Sequence, residues 1–166
     1  DPFAEISEAT FASFTSTQAN LDAVPVGASF TCRWTFKNTG TTTWDKNYKL
    51  VYVPRGSNPD PMTGKKSLPL TEAGGFTELE PDGTAVFTLN LTAPEQDGHN
   101  SRSFWQIRDL QGKPFAHFYV DITVVPAPPV GTSARTPDMA FVADHTIPDY
   151  EQIVAGTDFN KQWRVK

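Results

Sequence analysis

Residues 30–44 read FTCRWTFKNTGTTTW, and the first eight of them alternate apolar and polar side chains. A period of two is that of a β-strand with one buried and one exposed face. The apolar positions are Phe30, Cys32, Trp34 and Phe36, and the polar positions are Thr31, Arg33, Thr35 and Lys37. Asn38-Thr39-Gly40 ends the pattern, because asparagine and glycine favour turns. We therefore predict a strand with Trp34 in the core, followed by a turn that leads to Trp44.

The same alternation recurs along much of the chain, in short stretches that turn residues separate. It is clearest at 84–93, 103–108 and 118–124, and further strand candidates lie at 10–17 and 48–53. The tetrapeptide at 80–83 predicts a β-turn in which Gly83 is free to adopt a positive φ. No stretch has a convincing helical period. This pattern predicts an all-β fold, an Ig-like antiparallel β-sandwich of about seven strands.

Two proline-rich stretches interrupt the strand pattern. Residues 54–70 predict a protruding loop or an irregular sheet edge, since proline cannot donate a ladder hydrogen bond. This loop is the first place where we expect a binding contact. Residues 126–136, which begin Pro-Ala-Pro-Pro, predict a Pro-rich linker. The predicted organisation is a domain at 1–125, the linker, and a remainder at 137–166.

The remainder repeats the beginning of the first domain. Residues 159–166 match residues 30–37 in apolar and polar pattern, and each lies 129 positions after its counterpart. Trp163 therefore corresponds to Trp34. A partial second copy containing only the first two strands cannot bury both of its faces. We predict that 137–166 is either poorly ordered or pairs with a sheet edge of the first domain or of a neighbouring chain, by strand exchange or a dimer contact.

The segment from Phe30 to Trp44 resembles the opening signature of the four-tryptophan (FW) Ig-like domain. That family is known from neighbour-of-BRCA-one autophagy receptors and from bacterial surface proteins. The resemblance extends over about residues 9–125 and begins again at 138–166. Its signature positions are Trp34, Asn38, Gly40, Trp44, Trp105 and Tyr119, with Trp163 in the second copy. Tyr119 stands where the family has its fourth tryptophan, so an aromatic ring is kept but the indole is replaced by a phenol.

The alternation assigns a role to each aromatic residue of the signature. Trp34 and Trp105 share faces with other apolar residues, and we expect both in the core. Trp44 follows the turn, where it either plugs one end of the sandwich or lies exposed as a recognition aromatic. Tyr119 faces away from the predicted core and is the best candidate for a partly exposed aromatic, with a structural role equally open. Cys32 is expected to be a small buried apolar side chain.

Charge and residue spacing argue against several classes of function. The formal net charge is −5 with no basic stripe, which argues against nucleic acid. No apolar run approaches the roughly 18 residues that span a bilayer, so we predict no membrane insertion. His99, His117 and His145 are too widely spaced for a metal site, and a single cysteine excludes an internal disulfide. No nucleophile–base motif or phosphate loop occurs. We predict a non-catalytic protein with no metal and no cofactor.

Two functions of different classes remain open. In the first, the chain is a protein-interaction or structural module of a tandem array in a bacterial secreted or surface protein. The linker, the second copy and a first residue other than methionine favour this extracellular setting. In the second, which the resemblance favours, it is a cytoplasmic cargo-recognition domain of a eukaryotic selective-autophagy receptor. Carbohydrate binding through Trp44 or Tyr119 is a third option. In the first two, the expected partner is a protein.

Overall fold

Two β-sheets pack face to face in the computed structural model, which describes residues 4–129. The strands are β1 (Ala9–Ser16), β2 (Val24–Pro25), β3 (Ser29–Asn38), β4 (Lys49–Tyr52), β5 (Ser67–Pro69), β6 (Thr84–Thr92), β7 (Asn100–Arg108) and β8 (Pro114–Val125). One sheet has the order β1-β3-β6 and the other the order β2-β8-β7-β4-β5. The predicted all-β Ig-like sandwich is confirmed. The described residues form eight strands rather than about seven, because two very short strands, β2 and β5, escape the sequence pattern.

The strands pair antiparallel with one exception. β2 runs parallel to β8, where Val24 pairs with Val124 and Pro25 with Val125. Pro25 has no N–H to donate, which suits a short strand at a sheet edge. The prediction of antiparallel pairing therefore holds for the other pairs and is wrong for this one.

The core between the sheets follows the alternation that the sequence displays. In β3 the even-numbered residues from Phe30 to Asn38 are buried, and the residues between them face outward. The ring of Trp34 lies 4.4 Å from that of Phe118 in the opposite sheet, measured between centroids. Each such ring can bury about 150–250 Å². Cys32 is fully buried in the same layer, and desolvation raises the pKa of its thiol.

The turn after β3 is held by the side chain of Asn38, which is fully buried. Its Nδ2 donates to the carbonyls of Thr42 at 2.8 Å and Leu79 at 3.1 Å. Its Oδ1 accepts from the N–H of Gly40 at 3.2 Å. These bonds satisfy an amide that would otherwise be costly to bury. They fold the chain back so that Trp44 forms a bridge with Leu79.

Gly40 is required in this turn because the N-terminal segment crosses directly over it. A Cβ at Gly40 would stand 2.1 Å from the carbonyl oxygen of Ile6 and 2.7 Å from the nitrogen of Glu8. The N–H groups of Thr39 and Gly40 donate to the Glu8 carbonyl, and that of Thr41 donates to the Ile6 carbonyl. The turn therefore binds the N-terminal segment through backbone hydrogen bonds.

The turn at 80–83 forms, but its left-handed residue is Asp82 and not Gly83. Asp82 has a φ of 68°, a conformation that aspartate tolerates better than most residues. Gly83 is needed for space instead, since a Cβ there would stand 2.8 Å from Cδ1 of Leu79 and 2.9 Å from the carbonyl oxygen of Glu80. The prediction of a positive φ at Gly83 is therefore wrong.

A strand and a short helix occupy the end of the predicted loop at 54–70. β5 pairs with β4 as an edge strand, and helix α1 (Leu70–Gly74) follows it directly. Leu70 and Ala73 are the buried residues of α1, and Gly75 ends it with a φ of 66°. The expectation of no helix is wrong, because a single turn is too short to display a helical period.

The two sheets belong to one compact unit, whose boundary lies at Ala127. The predicted second copy at 137–166 lies outside the described residues, and so do Trp163 and the expected strand exchange or dimer contact. Among the residues that are described, no helix is long and apolar enough to cross a membrane.

Candidate functional site

Within residues 4–129, one edge of the five-stranded sheet has no neighbouring strand along most of its length. β8 pairs with β7 on one side, and on the other side β2 reaches only Val124 and Val125. Residues 114–122 of β8 thus have no strand neighbour on that side within the described part of the chain. β1 is likewise an outer strand of the other sheet. A gap remains between these two outer strands.

An apolar groove of about 390 Å³, which we name the β1–β8 groove, lies at this gap. It is lined by Phe11 and Phe14 of β1, His117 and Tyr119 of β8, and the buried rings of Trp34 and Phe118. Phe11 is 53% exposed, Phe14 36% and Tyr119 48%. Three large aromatic side chains around one groove are more than scattered surface residues, and such patches mark interaction sites.

A β-bulge explains how β1 supplies two phenylalanines to the same groove. Side chains three positions apart lie on opposite faces of a regular strand. The register of β1 against β3 shifts between Phe11 and Ser13, so that Phe11 pairs with Phe36 and Phe14 pairs with Trp34. The extra residue brings both phenylalanines to one face, where their rings lie 5.6 Å and 5.3 Å from those partners. Phe11 and Phe14 were not among the predicted site residues, because a spacing of three places two side chains on opposite faces of a regular strand.

On the outer face of the five-stranded sheet, Tyr119 belongs to an aromatic stack. The ring of Phe104 lies 6.3 Å from that of Tyr119 and 5.3 Å from that of His117, with planes inclined by only 12° and 19°. The guanidinium of Arg102 lies 4.7 Å from the Tyr119 ring centre, and that of Arg55 lies 5.3 Å from the Phe104 ring centre. Cation–π contacts of this kind favour a fixed arrangement of side chains. We name these five residues the aromatic–arginine face.

This outer face is positively charged, although the formal net charge of the chain is −5. Its cations are Lys49, Arg55, Arg102 and Arg108, and its carboxylates are Asp121 in β8 and Asp22, which lines a cavity together with Arg102 and Asp121. Arg102 donates to both carboxylate oxygens of Asp121 at 2.6 Å, and these hydrogen bonds raise the pKa of its guanidinium. Arg55 has no ion-pair partner within the described residues. The face therefore presents an unpaired cation beside exposed aromatic rings.

The structure separates the two aromatic residues that the sequence singled out as recognition candidates. Trp44 is fully buried, with its ring 6.3 Å from Phe87 and 5.7 Å from Phe115. The expectation of Trp44 as an exposed recognition aromatic is wrong, because the bridge to Leu79 draws it into the core. Tyr119 is half exposed on the outer face, so of the two it alone can contact a partner.

The remaining signature residues are structural. Trp34 and Trp105 are buried, and the Nε1 of Trp105 donates to the Oγ of Ser103 at 2.8 Å. That hydroxyl donates in turn to the carbonyl of Pro61 at 2.8 Å, so the indole nitrogen is satisfied deep in the core. Asn38 and Gly40 shape the turn and the path of the N-terminal segment. Trp34 also forms part of the lining of the β1–β8 groove, whereas Trp105, Asn38 and Gly40 do not line it.

Residues 4–129 contain no group of three or more His, Cys, Asp or Glu side chains that could hold a metal ion. His117 contacts Phe104, and His99 lies just before β7. What the described residues do offer is a surface for contact: an open strand edge, an apolar groove and a basic aromatic face.

The loop that the sequence analysis singled out for binding lies beside this surface. It supplies Arg55 to the aromatic–arginine face. Residues 56–58 line a polar cavity of about 320 Å³ together with Arg102 and Asp121. A binding contact through this loop stays a prediction, and the cavity places the loop next to the exposed side of β7 and β8.

Residues 17–124 match the family model described as "Ig-like domain from next to BRCA1 gene". The match begins after β1, so Phe11 and Phe14 lie outside it. A comparison with curated proteins finds no match. Among solved structures, the chain is similar to a CARDB domain from Pyrococcus furiosus, at 17% identity over 74% of this chain and 100% of that one, with a TM-score of 0.45. It is also similar to a Niemann-Pick type C2 protein from the Japanese carpenter ant, at 7% identity over 74% and 96%, with a TM-score of 0.48. Because both TM-scores are low, the assignment of the fold rests on the two sheets and on the family match.

Proposed function

Because the chain belongs to the family of Ig-like domains described as from next to BRCA1 gene, we propose that it is a non-catalytic module that binds a protein partner. The contact surface is the β1–β8 groove together with the aromatic–arginine face. The observation that carries this proposal is the clustering of exposed Phe11, Phe14 and Tyr119 around one open strand edge. Aromatic residues and arginine are enriched at protein interfaces and dominate their energetics.

The side chains of this surface are held in place before any partner binds. Tyr119 packs beside the ring of Phe104 and the guanidinium of Arg102, which Asp121 fixes through two hydrogen bonds. Ordering a side chain on binding costs about 0.5–1.5 kcal/mol, so a surface that is already ordered loses less affinity. This arrangement supports recognition through Tyr119 more than through an isolated exposed side chain.

We place the module in a tandem array of a bacterial secreted or surface protein. The repeat of residues 30–37 at 159–166 and the proline-rich linker before it support this setting. In such an array each sandwich presents one copy of the contact surface, and several copies together bind more tightly than one. The localisation that follows is extracellular or at the cell surface.

The alternative is cargo recognition in the cytoplasm, as part of a selective-autophagy receptor. The description of the matching family favours it, since that description names the gene next to BRCA1. In this case the same surface would bind a folded client protein. The identity of the partner distinguishes the two settings, because an envelope or extracellular protein supports the first and a cytoplasmic client supports the second.

Site-specific crosslinking tests the proposed contact surface. We expect a photoreactive benzoylphenylalanine in place of Tyr119 to crosslink to one defined protein, and the same group in place of Val86 to give no such product. Val86 is the matched control, because it is 41% exposed on the opposite sheet. With the purified partner, Tyr119→Ala should weaken binding at least about tenfold, whereas Val86→Ala should leave it unchanged.

Both variants should retain the free energy of unfolding of the parent chain, since both side chains lie on the surface. Equal crosslinking from the two positions, or unchanged affinity in Tyr119→Ala, would contradict the proposed surface.

A further inference from the structure

Within residues 4–129, backbone groups along the open edge of β8 have no hydrogen-bond partner. The N–H of Thr123 donates across this edge to the carbonyl of Leu21 at 2.9 Å, whereas the N–H of Val124 donates to His99 at 3.0 Å. Backbone groups of successive strand residues point to alternate sides. The backbone groups of Asp121, Tyr119 and His117 therefore point to the same side as that of Thr123. On that side β2 pairs with β8 only at Val124 and Val125.

From this edge we propose that β8 accepts an extended strand of a partner protein, in which acidic and apolar side chains alternate. The proposal rests on the proposed function and names the partner's chemistry at the same surface. Strand addition to an open sheet edge takes its affinity from backbone hydrogen bonds and its specificity from alternate side chains. The open part of β8, residues 114–122, accommodates a segment of up to nine residues.

The apolar half of this pattern follows from the groove. Alternate side chains of an added strand point to opposite faces of the sheet. One set would enter the gap between the sheets, where Phe11, Phe14 and Trp34 form an apolar lining. Polar or charged side chains at those positions would lose their hydration without gaining partners.

The acidic half follows from the charge of the outer face. The other set of side chains would lie beside Tyr119, next to the aromatic–arginine face. Arg102 is neutralised in part by Asp121, but Arg55 has no carboxylate partner in residues 4–129. With Lys49 and Arg108 on the same face, a carboxylate is the complementary group, whereas a lysine would be repelled.

Part of the groove lies outside the region that matches the family model. Phe11 and Phe14 lie before residue 17, where the family match begins. The β-bulge turns both rings toward β8. The matched region supplies the strand edge and the arginines, and β1 supplies the apolar wall that selects the side chains of the added strand.

A labelled peptide tests this proposal on the full chain. The probe is an acetylated, fluorescein-labelled octapeptide of alternating glutamate and valine, titrated by fluorescence anisotropy. The controls are an alternating lysine–valine peptide and a block peptide with four glutamates followed by four valines. We expect the alternating acidic peptide to bind at least about tenfold more tightly than either control.

Variants of the chain separate the two halves of the pattern. Arg55→Glu should weaken binding of the acidic peptide at least about tenfold, and Arg33→Glu on the outer face of the other sheet should not. Phe14→Ala should weaken it as well. Amide hydrogen exchange of His117, Tyr119 and Asp121 should slow in the complex, an effect that side-chain contact alone would not produce.

Three results would overturn the proposal. The first is that the acidic and basic peptides bind with equal affinity, and the second is that the exchange rates of the three β8 amides do not change in the complex. The third is that a second copy of the chain, or a peptide of residues 137–145, displaces the acidic peptide. If Tyr119→Ala weakens binding of the natural partner but the acidic peptide does not bind the chain, only this inference is contradicted. If Tyr119→Ala leaves the affinity for the natural partner unchanged, the proposed function is contradicted as well.

Discussion

Two buried tryptophans differ in what their indole nitrogens contact. The Nε1 of Trp105 donates to Ser103, whereas the Nε1 of Trp44 is buried without a partner among the described residues. A buried unpaired donor costs about 1–3 kcal/mol. Trp44→Phe removes the unpaired donor and its free-energy cost, together with part of the ring. Trp105→Phe instead removes the hydrogen bond to Ser103. We expect Trp105→Phe to lower the free energy of unfolding by about 1–2 kcal/mol more than Trp44→Phe, as measured by urea titration.

An equal or larger loss in Trp44→Phe would contradict this account. It would mean that packing of the indole against Phe87 and Phe115 outweighs the unpaired donor. Both variants keep an aromatic ring, so the comparison isolates the indole nitrogen better than alanine substitutions would.

At the scale of single residues, the alternation of apolar and polar side chains predicts which residues of a strand face the core. It does not predict where a residue that follows a turn lies. The burial of Trp34 follows from the period of two in β3. The burial of Trp44 depends on the hydrogen bonds that Asn38 makes to Thr42 and Leu79, which bring distant parts of the chain together. Hydrogen bonds between distant residues leave no local pattern in the sequence. The sequence therefore did not distinguish a buried Trp44 from an exposed one.

At the scale of elements, the turn after β3 and the N-terminal segment form one unit. Gly40→Ala would place a Cβ 2.1 Å from the carbonyl oxygen of Ile6, so the segment must move and lose its backbone hydrogen bonds. We expect a loss of about 1–3 kcal/mol in the free energy of unfolding. Limited proteolysis should also cut the N-terminal segment faster in this variant.

Gly64→Ala is the matched control, because nothing lies within 4 Å of its Cβ position and its φ is not positive. Its free energy of unfolding should stay within about 0.5 kcal/mol of the parent. Equal losses in the two variants would contradict the role of the crossing segment, because Gly→Ala by itself reduces the entropy of the unfolded chain and should not destabilise.

The longer strands of the fold follow from the sequence, and its shortest elements do not. β3, β6, β7 and β8 are each nine residues or longer, and each contains a stretch of four or more residues whose apolar and polar side chains alternate in the sequence. β2 and α1 have two and five residues, which are too few to reveal a period. The bulge in β1 breaks its alternation, so the sequence indicates a strand there but hides that Phe11 and Phe14 share a face.

At the scale of the whole molecule, the sandwich is complete within the described residues. Its buried apolar residues run from Val24 to Val124. We therefore expect a chain shortened to residues 1–129 to unfold in one cooperative transition, with a free energy within about 0.5 kcal/mol of that of the full chain. Urea titration followed by circular dichroism provides the measurement.

A larger loss on shortening would show that residues 130–166 stabilise the sandwich, as the predicted pairing with a sheet edge requires. In that case the open edge of β8 would be the first position to test for the added strand. The sequence does not predict the partner of this surface. The groove lies between β1 and β8, which are separated by about a hundred residues along the chain, so no local sequence pattern reveals it.

The buried thiol of Cys32 has a consequence for where the sandwich can work. Its pKa is raised, so little reactive thiolate forms at neutral pH, and the side chain is sealed in the core. The described residues hold no second cysteine with which it could form a bond. Glutathione, oxygen or a thiol oxidase would therefore act on this sandwich slowly or not at all. We therefore expect the free energy of unfolding to be the same under reducing conditions, as in the cytoplasm, and under oxidising conditions, as outside the cell.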